Sequence, residues 1–166
     1  MKVIFLDFDG VLNLIPQGHD YYGGIFHPEF VKNLERIIDE TGAKLVISSS
    51  WRHGGLERMK MMWEHRSYPG EIIGITPDLR WRTHPDKLET NEKEYVRGDE
   101  IESWLNLHPD VTNYVILDDD DDMLQSQRIN FVRTSDNINH PDCIDIGYGL
   151  TNICSNDAIR ILNRKQ

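Results

Sequence analysis

Apolar and polar positions along the chain follow two periods. Residues 2–6, KVIFL, form a continuous apolar run rich in β-forming side chains, the pattern of a strand buried on both faces. KLVIS at 44–48, EIIGI at 71–75, NYVIL at 113–117 and NFVRT at 130–134 repeat that pattern, so five strands are predicted. Between them the period becomes that of an amphipathic helix. In HPEFVKNLERIIDETG, Phe30, Val31, Leu34, Ile37 and Ile38 share one face; Pro28 suits the first helical position and Gly42 the C-terminal stop. Leu56, Met59 and Trp63 predict a second helix. Residues 98–107, with Ile101, Trp104 and Leu105 inward, predict a third. Near the end, SNDAIRIL aligns Ala158, Ile159 and Leu162, with Ser155 as the expected N-cap. Residues 17–24 read as a polar, Gly-containing loop, and 77–96 as a charged stretch without periodicity.

Strands alternating with helices predict an α/β fold. The expectation is one Rossmann-like domain over residues 1–166, its mostly parallel five-stranded sheet carrying helices on both faces. The stretches between strands leave little room for a separate cap domain. In open sheets of this kind ligands bind beyond the carboxyl ends of the strands. The residues following the first, second and fourth strands are DFDG, SSSWR and DDDDD, which the topology should gather at one edge.

Composition narrows the partners. The 28 acidic and 18 basic residues give a net charge of -10, which disfavours nonspecific binding to nucleic acid or anionic lipid unless a local basic patch overrides it. No apolar run approaches the roughly 20 residues that span a bilayer, and the apolar opening is too short for a signal peptide. A cytoplasmic protein with no membrane partner is expected, with Cys143 and Cys154 as reduced thiols. The seven histidines show no HxxxH or HxH spacing, so no histidine metal site is expected.

Asp7 and Asp9 carry the first chemical signal. Residues two apart on an extended segment point the same way, about 6–7 Å apart along the chain, which leaves room for a phosphoryl group and a metal ion. Gly10 lets the backbone turn away. One carboxylate can attack phosphorus while the other handles the leaving-group proton; a pair of turn aspartates is the ordinary alternative. The run Asp118–Asp122 suits a hard divalent cation, with Mg2+ the usual partner of phosphate; a solvated acidic loop is the alternative. Asp118 ends its strand directly, and Asp119 or Asp122 would support it. Ser48, Ser49 and Ser50 offer a hydroxyl and backbone N–H groups to phosphate oxygens, or ordinary turn chemistry. Arg52 and Arg97 are candidate cations for the phosphoryl group, with Arg52 reading rather as half of a surface ion pair. In DLRWRTHPDK, Arg80, Trp81, Arg82, His84 and Lys87 set arginine beside an aromatic ring, which suits a nucleic-acid strand or a plain surface loop.

Taken together, DFDGVLN, the serine after KLVIS, Arg97 ahead of a helix and ILDDDDD resemble, in order, the four motifs of the haloacid dehalogenase superfamily. The resemblance runs from about Met1 to Leu162. It implies Asp7 as the nucleophile of an aspartyl-phosphate intermediate, and Asp9 as acid and then base. It implies Ser48, with Ser49, and Arg97 as phosphate ligands. Mg2+ would be held by Asp7, Asp9, Asp118 and either Asp119 or Asp122. An acidic residue at Asp9 is the pattern of the phosphatase and phosphotransferase members. The third motif is usually Lys, and here Lys87 and Lys93 rival Arg97. HPEFVKNLERIIDETGAKLVISSSWR, IIGITPDL, RGDEIESWL and the late GLT are also similar to small HAD domains of RNA-repair proteins. That similarity implies a phosphorylated nucleic-acid end or nucleotide as substrate.

Overall fold

A computed structural model describes residues 1–14, 17–79, 95–135 and 148–165. The chain forms β1 (Lys2–Leu6), a small antiparallel hairpin of β2 (His19–Asp20) and β3 (Gly23–Gly24), then α1 (Pro28–Thr41) and β4 (Lys44–Ile47). A 3-10 turn (Ser50–Gly54) leads into α2 (Leu56–His65) and β5 (Ile72–Ile75). After these come α3 (Arg97–Asn106), β6 (Asn113–Asp118), a second 3-10 turn (Gln125–Asn130), β7 (Phe131–Arg133) and α4 (Asn152–Leu162). Strand pairing is parallel throughout the main sheet, in the order β5-β4-β1-β6-β7. The expected α/β architecture is therefore present, and its five strands lie within a residue or two of the apolar runs.

The alternation of β1 side chains divides the core in two. Ile4 and Leu6 face a layer made by Leu34 and Ile37 of α1, Met59, Met62 and Trp63 of α2, and Ala158 and Leu162 of α4. Val3 and Phe5 face the other way, toward Ile101 and Trp104 of α3 and Met123. Helices thus cover both faces, three on one and one on the other among the described residues. Helix α1 starts and stops as its sequence signals predict, with Pro28 in the first turn and Gly42 at φ 68° closing it. Helix α4 does not. Its cap is Thr151, whose hydroxyl accepts from the Cys154 N–H, so the helix starts about one turn before the expected Ser155, which is itself buried inside it. Segment 17–24, read as loop, contains the hairpin.

Register aligns the strand ends. Leu6 pairs with Ile47 on one side and Leu117 on the other. The next residues, Asp7, Ser48 and Asp118, therefore stand level along the carboxyl edge. The ladder continues through them: the Asp7 N–H donates to Leu117 O at 3.0 Å, and the Ser48 N–H to Leu6 O at 3.0 Å. No helix among the described residues is long and apolar enough to cross a membrane. Cys154 is a buried thiol. Cys143, Lys87, Lys93 and the Arg80–Lys87 segment lie outside the described residues.

Candidate active site

At the end of β1 the chain alternates Asp7, Phe8, Asp9. Phe8 is fully buried against Phe26, Trp51 and Trp63 and anchors the turn. Asp7 is turned to the strand edge and almost wholly buried; Asp9 is exposed. Gly10, at φ 73°, carries the chain away, and a Cβ there would lie 2.2 Å from the Asp119 Cγ. The glycine thus serves two ends, a left-handed turn and close approach of the Asp119 carboxylate.

Oxygens of Asp7, Asp118 and Asp119 lie within 4.8 Å of one another. Asp122 is placed elsewhere: its carboxylate accepts from the Arg97 N–H at 3.0 Å and so caps α3. Gln127 adds a second clamp, its side-chain amide donating to Gly98 O at 2.8 Å. These contacts fasten the acidic loop to the start of α3 and set Arg97 beside the cluster. The guanidinium approaches both buried carboxylates without closing on either, Nη1 lying 3.6 Å from Asp7 Oδ1 and Nε 3.7 Å from Asp118 Oδ2.

Charge in this setting is costly. Burial pushes the Asp7 carboxyl above its ordinary value, with Arg97 opposing. Burial, reinforced by the Asp7 charge, pushes Asp118 well above it. For Arg97, burial pulls downward, but Asp118, Asp7, Glu100 and Asp122 more than reverse it. Among the described residues, Asp118 Oδ2, Arg97 Nη1 and the Ser48 hydroxyl are buried without a hydrogen-bond partner. Three unpaired polar groups converging on one strand edge are uncommon, since buried polar atoms are nearly always bonded. An all-carboxylate donor set with an unpaired buried oxygen fits a hard divalent cation. The two unpaired donors, Arg97 Nη1 and the Ser48 hydroxyl, fit the oxygens of a tetrahedral oxyanion.

Sequence reasoning missed three elements of this site. Asp9 is gripped by neutral donors on both oxygens: Trp51 Nε1 donates to Oδ2 at 2.8 Å, and Asn13 Nδ2 to Oδ1 at 2.6 Å. An indole beginning the turn after a strand-end serine was the available signal. Arg52, read as a surface ion pair, is instead buried and pairs with Glu100 at 2.5 Å. It also donates to the carbonyls of Ser48, Ser49 and Thr76 at 2.7, 2.9 and 3.1 Å, tying the ends of β4 and β5 to α3. Arg52 braces the site from beneath and is not set to meet phosphate. Ser49 accepts from Trp51 N–H and caps the 3-10 turn. Its hydroxyl also favours ionisation of the Asp7 carboxyl, against the larger effect of burial.

Carboxylates after the central strand, a hydroxyl after its neighbour, a cation at a helix start and an acid after the next strand make up a haloacid dehalogenase-type site on its characteristic sheet. Residues 3–139 match the family described as the HAD domain in Swiss Army Knife RNA repair proteins, and the chain belongs to that family. The family places it among HAD-type phosphatases in general. Comparison with curated proteins and with solved structures returned no match.

Proposed function

We propose that the protein is a Mg2+-dependent phosphomonoester hydrolase acting through an aspartyl-phosphate intermediate on a nucleotide or nucleic-acid end. The observation that carries this reading is the Asp7–Asp118–Asp119 cluster with Arg97 held just short of contact. The family's association with RNA repair supports the substrate class.

Asp7, Asp118 and Asp119 are the residues that would hold the metal, with the Asp9 backbone carbonyl as a further oxygen. When bound, the cation neutralises phosphoryl oxygens and lets Asp7 remain an ionised nucleophile. Arg97 and the Ser48 hydroxyl, both with unpaired buried atoms, receive the equatorial oxygens. An Asp7 carboxylate oxygen bonds to phosphorus as the ester P–O bond breaks, and protonated Asp9 gives its proton to the leaving alkoxide. Asp9, now a carboxylate, takes a proton from water. That water's oxygen bonds to phosphorus, the aspartyl P–O bond breaks, and Asp7 and inorganic phosphate are released. Trp51 and Asn13 keep the Asp9 carboxyl directed through both transfers.

The test is phosphate release in Mg2+ from 3′- and 5′-phosphorylated oligonucleotides, sugar phosphates and an aryl phosphate, with Asp7→Asn as control. Release from the oligonucleotides that the substitution abolishes is expected. Preference for sugar phosphates would overturn the substrate class, and no release from any of them would overturn the catalytic reading.

A further inference from the structure

Tyr21 sits at the turn of the β2–β3 hairpin and is 82% exposed, the most exposed of the large apolar side chains described. A lone exposed aromatic residue needs no explanation, but this one stands on a turn that is firmly held. Asp20, the residue before it, pairs through both carboxylate oxygens with Arg66, whose Nε and Nη2 lie at 2.9 and 2.7 Å. The same guanidinium donates to the carbonyls of Gly24 and Gly23 at 2.9 and 3.2 Å and lies over the Phe26 and Tyr68 rings. Asp20 also accepts the Tyr22 N–H at 2.7 Å, closing an Asx turn. The hairpin is thereby fastened at Asp20, Gly23 and Gly24, on both sides of the exposed Tyr21.

Neighbours complete a surface. Tyr21 meets the Tyr22 ring edge to face at 5.2 Å, and the Arg58 guanidinium lies 5.4 and 5.3 Å from the two ring centroids. Among the described residues Arg58 forms no ion pair, although the chain is strongly acidic overall. Its side chain reaches the tyrosines by passing over Gly54, where a Cβ would come within 2.2 Å of its Cδ. Gly23, at φ 114°, backs onto the Trp51 ring, to which a Cβ there would approach within 3.3 Å. Trp51 is the residue whose indole N–H holds Asp9. Gly23 of the hairpin and the Asp9 carboxylate therefore meet the far edge and the N–H edge of one indole.

We infer that Tyr21, backed by Tyr22 and Arg58, is a stacking platform for a nucleobase of the phosphorylated substrate. The inference rests on the reading of the site given above and adds the element that would select a nucleotide over a base-free phosphate. An exposed ring backed by a guanidinium that has no ion pair among the described residues suits a planar π-system joined to anionic groups.

Binding to the full-length Asp7→Asn chain in Mg2+ tests this apart from turnover. One probe is a fluorescent oligonucleotide ending in a phosphorylated nucleotide; the other ends in an abasic phosphorylated sugar, with 3′ and 5′ ends in separate arms. The base-bearing probe is expected to bind roughly five- to a hundredfold tighter in one arm. Tyr21→Ala should bring that ratio close to one, and Tyr21→Trp should keep it. An unaltered ratio in Tyr21→Ala, or equal binding of both probes to the parent in both arms, overturns the inference. Absence of phosphate release by the chain with Asp7 intact would count against the hydrolase reading alone, because the binding ratio does not depend on turnover.

Discussion

Arg52 and Arg97, both with largely buried side chains, face carboxylates in opposite ways. Arg52 closes on Glu100 at 2.5 Å and donates to backbone carbonyls at the ends of two strands. Glu100 uses its other oxygen to accept the Leu79 N–H at 3.1 Å. Arg97 stands 3.6 and 3.7 Å from two carboxylates and leaves Nη1 and Asp118 Oδ2 unbonded. Both arrangements bear a large desolvation cost. In the first pair it is offset within the protein. In the second the offset is incomplete and would be supplied by what binds there. Separation and unsatisfied valence, more than burial or residue type, distinguish a brace from a binding group.

The strongest challenge to that distinction is Asp7→Asn. It should lower phosphate release by at least about a thousandfold while leaving the urea midpoint equal or higher. A stability loss comparable to the activity loss would make Asp7 structural. Exchanging the two arginines separately sharpens the contrast. Arg97→Met should lower kcat/KM about a hundred- to a thousandfold with little change in stability. Arg52→Met should cost about 3–5 kcal/mol in denaturant unfolding, because Glu100 is left buried and unpaired. Similar effects of both substitutions on both readouts would dissolve the comparison.

Trp51→Phe retains the ring and removes one hydrogen bond to Asp9. About a tenfold fall in kcat/KM is expected for alkyl phosphates, and a smaller fall for an aryl phosphate whose leaving group needs less protonation. Equal losses on both would mean that Trp51 does not act through Asp9.

The smallest effect concerns pH. Asp7 and Asp118 have carboxyls raised above the ordinary 3.8, so without metal the folded state holds more protons than the unfolded state from that value upward. Metal-free stability should therefore decline as pH rises through this window. Bound Mg2+ favours the ionised carboxylates, so the gain in Tm on adding Mg2+ should be largest at neutral pH and shrink as pH falls toward 3.8. A Tm that Mg2+ leaves unchanged at pH 7.5 would remove the metal from the proposal.

Much of this was legible in the linear pattern. Continuous apolar runs marked β1, β4 and β6 because inner strands of a parallel sheet are buried on both faces and tolerate few polar positions, whereas the edge strand β7 carries only two apolar residues before the exposed Arg133. The level of Asp7, Ser48 and Asp118 followed from topology, since parallel strands end together. Helix α4 shows where local signals mislead: Ser155 has the right chemistry for a cap, but Thr151 lies at the place where the chain leaves the loop. The short hairpin escaped because two-residue strands have no detectable period. Asp20 and, after two intervening residues, the Gly23-Gly24 pair were its only marks.

Sequence alone determined the family, because strand-end carboxylates, a serine, a cation and an acidic run follow one another along the chain in the order of its motifs. Tertiary structure decided which of several like residues took each place. Five aspartates in a row are chemically equivalent until the α3 N-terminus binds Asp122 and the Gly10 turn admits Asp119. Two arginines are equally cationic until one finds a complete set of acceptors. Indole and amide acquire their bearing on Asp9 only when residues 13 and 51 meet it. Hydrogen bonds act over about 3 Å and depend on direction, and no spacing along the chain carries that information.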